Sequence, residues 1–212
     1  MADVLPRRLI WVPVIHTPED LGSIQQPVRE AYLKQHGQSQ WDRRVRTVAD
    51  MWRRIARRID ELDLSYANVK LYQDGLPICD HEAQIVSDLA EGGSLNHQLL
   101  RELMKRGATL VGTESPELLI QEYTLARQIL LGTKEDGSRA PSPSRVESRS
   151  REILDKRDRF IAERIAQTLQ RGETGLLFLG MLHSINGRLP ADVEVTQLNG
   201  ISPILEAPEE RR

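Results

Sequence analysis

At 212 residues the chain is long enough for one substantial domain and short for two, and its formal charge of -2 excludes a global electrostatic pull towards nucleic acid or anionic membrane. Its 39% hydrophobic content is that of an ordinary folded protein. The single cysteine, Cys79, excludes an intramolecular disulfide and a cysteine-paired zinc site, and it fits a reducing compartment.

The first structured run is "RLIWVPVI", residues 8–15. It is β-prone and too soon interrupted to be a signal peptide or a membrane span, so a cytoplasmic protein with no membrane association is expected. Pro13 within it predicts an edge strand or a bend near its end. His16 follows, then a loop-like segment containing Asp20, and Pro27 is placed to start a helix that ends near Gly37.

Trp41, Val45, Val48, Trp52, Ile55, Ile59 and Leu62 recur at spacings of four and three, the mark of an amphipathic helix. Arg43, Arg44, Arg46, Arg53, Arg54, Arg57 and Arg58 lie in the same stretch against Asp50 alone. Because both tryptophans belong to the apolar stripe, the arginines read as a solvated face and nucleic acid is not the expected partner. The stripe also offers an interface for a homodimer.

"NVKLYQ", residues 68–73, predicts a second strand closed by Asp74, Gly75 and Pro77. Asp80 is placed to cap a helix to about Glu91, and Ser94 to cap another to about Arg106. "ATLVG", residues 108–112, predicts a third strand with Glu114 just past its end, and Ser115–Pro116 opens the next helix. Residues 132–144 combine glycine, proline, serine and charge without an apolar period and predict a mobile loop.

A long helix from about Arg145 to Arg171 then leads to the strand "GLLFLG", and "VEVTQL", residues 193–198, predicts the last strand. The terminal "EAPEERR" reads as a solvated tail. Strands alternating with helices predict a single α/β domain over residues 1–212, its largely parallel sheet flanked by helices.

Ligands of such sheets bind in the crevice beyond the carboxyl ends of the strands. The predicted ends present His16, Asp74 (with Gln73), Glu114 and His183. Two histidines and two carboxylates can hold a divalent ion such as manganese, cobalt or zinc, or perform metal-free acid–base catalysis. Asp20 and Glu82 are candidates to extend the set, against plainer readings as a loop turn and a helix-dipole partner.

Arg157 stands three residues after Leu154 and four before Ile161, on the apolar stripe of the long helix, where a guanidinium needs a carboxylate or an anionic ligand. Asp158, one residue on, is expected to point elsewhere.

The stretch "RDRFIAERIAQTLQRGETGLLFLGMLHSING", with its Arg157–Asp158 pair and Gly180-x-x-His183, resembles the TraB, Tiki and ChaN-like superfamily, which includes erythromycin esterase-like proteins. "WVPVIHT" is similar to that family's histidine after the first strand, although Pro13 stands where the family has glycine and "YQDG" replaces its usual acidic pattern. The resemblance implies a hydrolase centred on His16, Glu114, Arg157 and His183, with His16, Asp74, Glu114 and His183 as the ligands in a metal-dependent version. The alternative is a noncatalytic small-molecule or peptide-binding module using the same crevice.

Overall fold

The computed structural model describes residues 6–15, 25–131, 142–185 and 187–199. Five strands, β1 (Arg7–Val14), β2 (Val69–Gln73), β3 (Thr109–Val111), β4 (Thr174–Gly180) and β5 (Val193–Gln197), form an all-parallel sheet in the order β3-β2-β4-β1-β5. Six helices accompany it: α1 (Gln25–His36), α2 (Gln38–Asp60), α3 (Glu82–Glu91), α4 (Leu95–Lys105), α5 (Pro116–Leu131) and α6 (Pro143–Thr168). This is the expected α/β domain with a parallel sheet.

Strand alternation divides the core in two. Ile10, Val12, Val14, Val69, Leu71, Leu176 and Phe178 face α2, α3 and α4, whereas Leu9, Tyr72, Leu177 and Leu179 face Ile161 and Ile165 of α6. The continuously apolar β4 is covered on both sides, as a central parallel strand must be. In α2, Trp41, Val48, Trp52, Ile55 and Ile59 are buried as the spacing predicts, but Val45 is 45% exposed and Met51 takes a place in the core.

Three expectations are corrected. The first strand is not an edge strand: β1 lies between β4 and β5. Pro13 is tolerated there because the Leu198 N–H donates to the Trp11 carbonyl at 2.8 Å, which shows that the proline nitrogen, on the same side two residues on, faces past the end of β5.

Asp80 does not cap α3. It sits at a left-handed φ of 61°, and the helix begins at Glu82 after His81, which makes no side-chain capping bond. Glu82 itself reaches back to accept from the Cys79 N–H at 3.0 Å. Burial opposes its charge, but the N–H groups of Cys79 and Asp80 hold its carboxyl below the usual range.

Pro143 and Ser144, read as part of a loop, instead begin α6, with Ser142 just before Pro143 at the first turn. The rest of that segment, 132–141, lies outside the described residues, as does the C-terminal tail. Among the described residues no helix is long and apolar enough to cross a membrane.

Candidate functional site

The turn after β2 gives the sheet's carboxyl edge its shape. Gly75, at φ 78°, reverses the chain, and residues 76–78 then run beside 113–114. The Leu76 carbonyl accepts from the N–H groups of Thr113 and Glu114 at 3.0 Å, and the Ile78 N–H donates to the Glu114 carbonyl at 3.0 Å. The Glu114 backbone is therefore clamped, and its side chain is fully buried. Asp74 is held by its own neighbours, with Oδ2 accepting from the Gly180 N–H at 3.0 Å across the β2–β4 pair.

Arg157 enters this edge from α6. Its Nε and Nη2 grip both oxygens of Glu114 at 2.6 Å, Nη2 also donates to Asp74 Oδ1 at 2.7 Å, and Nη1 donates to Glu122 Oε2 at 2.7 Å. Four of its N–H···O contacts thus go to carboxylates, which is what a buried guanidinium requires. Burial opposes the charge of Arg157, yet Glu114, Asp74 and Glu122 raise its pKa further. Burial pushes the Glu114 carboxyl up, against the pull of the Arg157 fork.

His183 completes the cluster. Its Nδ1 lies 2.6 Å from Asp158 Oδ1, while Asp158 Oδ2 accepts from the Ser184 N–H at 2.9 Å. The opposite ring nitrogen, Nε2, faces Asp74 Oδ2 at 3.5 Å, longer than the roughly 2.7–3.2 Å of a well-formed N–H···O bond. Burial alone would depress the imidazole, but the bond to Asp158 and the nearby Asp74 carboxylate outweigh it and raise His183 to about 9. Both carboxylates thus favour the imidazolium form of the ring.

Asp74, Glu114, Arg157 and His183, four of the expected residues, are thus brought together. His16 and Asp20 lie outside the described residues. Glu82 is occupied at the start of α3 and is not bonded to the Arg157 cluster, in keeping with its plainer reading. The expectation for Asp158 is corrected: it is buried and bonded to His183, because the covered arc of α6, from Ile153 through Ala162, is broad enough to include two successive residues. Glu122 was also missed; its signal is a position two helical turns past Glu114, on the side of α5 that meets α6.

Asp74, Glu114 and His183 are the described members of the expected metal set, and each is engaged within the cluster. Both oxygens of Glu114 and one of Asp74 accept from Arg157, and the other Asp74 oxygen accepts from Gly180. The guanidinium of Arg157 is the cation that pairs with both carboxylates. Among the described residues no group of three or more His, Cys, Asp or Glu is placed to hold a metal ion.

Comparison of the chain with protein-family models, with curated proteins and with solved structures finds no match.

Proposed function

We propose that the protein is a metal-free hydrolase whose acid–base centre is His183, oriented by Asp158 and facing Asp74. The observation that carries this reading is the unequal engagement of the imidazolium: a short bond at Nδ1 and a long contact at Nε2. A proton is therefore presented at the carboxyl edge of a parallel sheet, where ligands of such folds bind. The likeness of Arg157–Asp158 and Gly180-x-x-His183 to the erythromycin esterase-like superfamily supports the same reaction class.

In this mechanism water adds to an ester or amide carbonyl and its proton passes to Asp74. His183 gives its Nε2 proton to the leaving oxygen or nitrogen. The proton on Asp74 then returns to His183 across the 3.5 Å contact, and the site is reset. Arg157 is a positioning residue, since its donors are committed to Glu114, Asp74 and Glu122 and it holds the edge in register.

The test is a panel of ester, amide and phosphoester substrates presented to the wild type, His183→Gln and Asp74→Asn, with circular dichroism to confirm folding. Turnover should fall by about 10²-fold or more in each variant, as removal of a general acid or base requires. Saturable binding of a panel member by the wild type with no turnover would replace this reading by the noncatalytic ligand-binding module.

A further inference from the structure

The side of α2 turned away from the sheet carries Arg43, Arg46, Arg53, Arg54, Arg57 and Arg58, all exposed. At about 100° per residue they fall within an arc of about 140°, and at about 1.5 Å per residue they extend along about 22 Å of helix. Asp50, within the arc, pairs with Arg53 at 2.6 Å, and Glu61, beyond the helix end, pairs with Arg58 at 2.8 Å. Arg43, Arg46, Arg54 and Arg57 have no acidic partner among the described residues. Thr47, Asp50, Arg53, Arg54 and Arg57 line an open hollow of about 410 Å³ on this face.

From sequence, these arginines admit a nucleic-acid surface but favour a solvated face. The fold adds that, among the described residues, four guanidiniums along one helix face are left without an acidic partner. Such a surface selects a partner rich in negative charge.

Its apolar content narrows the class. Trp41 and Trp52 are buried in the core, and Val45, the exposed large hydrophobic of α2, lies about 200° of helical rotation from Arg43, outside the arginine arc. A protein partner would need a buried apolar or aromatic anchor, and a membrane would need an apolar face to receive. Single-stranded nucleic acid would need exposed rings on which bases stack. A duplex backbone needs only charge and donors, and guanidinium meets phosphate in bidentate geometry.

We propose that the arginine face of α2 binds the phosphate backbone of double-stranded nucleic acid. This surface points away from the sheet, so the proposal stands apart from the hydrolase reading.

The test is fluorescence anisotropy of a labelled DNA or RNA duplex of about 20 base pairs, titrated with the full chain across a salt series. The wild type should bind with a dissociation constant of about 1–100 μM near physiological salt, weakening linearly on a log–log salt plot. The double reversal R54E/R57E should weaken binding by about tenfold or more and reduce the salt slope by about 1.8, two phosphate contacts' worth. R54Q/R57Q should fall between, with the circular dichroism spectrum and Tm of the wild type in both. Unchanged affinity and slope in R54E/R57E would overturn the proposal, as would an absence of salt-dependent binding even at about 25 mM salt. Tighter binding of polyglutamate or of phosphatidylglycerol vesicles than of the duplex would overturn it in favour of an acidic protein or a membrane.

Discussion

The guanidinium of Arg157 grips both carboxylate oxygens of Glu114 at 2.6 Å, and the two side chains are 5% and 0% exposed. Removing the cation leaves Glu114 and Asp74 facing each other in the interior. Arg157→Met should therefore destabilise the fold by about 3–5 kcal/mol in urea denaturation. Arg157→Lys should recover less than half of that loss, because one ammonium cannot match both forks. Near wild-type stability in Arg157→Met would show that the cluster is not what secures the carboxyl edge.

The imidazole of His183 should titrate near pH 9 by NMR, and Asp158→Asn should lower that value. The consequence for stability has a definite sign. A folded pKa raised from the ordinary value of 6.5 to about 9 contributes stability that is fully present below the unfolded pKa and is lost as pH rises through the folded one. The contribution is on the order of 3 kcal/mol. Urea midpoints should thus fall between about pH 6.5 and 9 in the wild type, and this decline should be absent in His183→Gln.

Asn96 is fully buried in the first turn of α4, and neither its amide nitrogen nor its amide oxygen has a hydrogen-bond partner among the described residues. An apolar side chain of similar size removes that desolvation cost. Asn96→Leu should stabilise the protein by about 1–3 kcal/mol, read as a higher urea midpoint at constant m-value. A lower midpoint would mean that the polarity of Asn96 is used in the folded state.

Gly112 stands where a Cβ would meet Glu82 Oε1 at 2.5 Å, Ile78 Cα at 2.9 Å and the Pro77 carbonyl at 3.1 Å. Two of these are backbone atoms of the segment that clamps Glu114. Gly112→Ala should cost about 1–3 kcal/mol and shift the NMR signals of Glu114 and Arg157 along with those of the mutated strand. A neutral substitution would show that β3 and the turn after β2 can part without disturbing the cluster.

The helices and strands were legible because each has an unmixed period: spacings of three and four in α2, a continuous apolar run in β4. Asp74, Glu114 and His183 were legible together because parallel strands gather their carboxyl ends at one edge. Arg157 was legible because a cation on an apolar stripe demands a partner. Asp158 was not, since sequence shows the period of a helix but not how broad an arc its neighbours cover. Pro13 misled because a proline reports a missing donor and not the side to which it points. The pairing of Asp74 and Glu114 with Arg157 depends on side-chain reach, which residue types and spacing leave open.

The strand order gives the molecule an order of assembly. β1, first in the chain, hydrogen-bonds only to β4 and β5, so residues 7–14 find no partner strand until residue 174 and beyond have been made. β2 and β3 need no such wait, being joined through α3 and α4, whose contacts are local. Long-range parallel pairing is slow because the loop must close before any ladder bond is gained. The insertion of β4 between β2 and β1 is therefore expected late, and it is the event that brings Gly180 to Asp74. A nascent or partly folded chain can have much of its secondary structure and still lack the Asp74–Arg157–Glu114 cluster at the sheet's carboxyl edge.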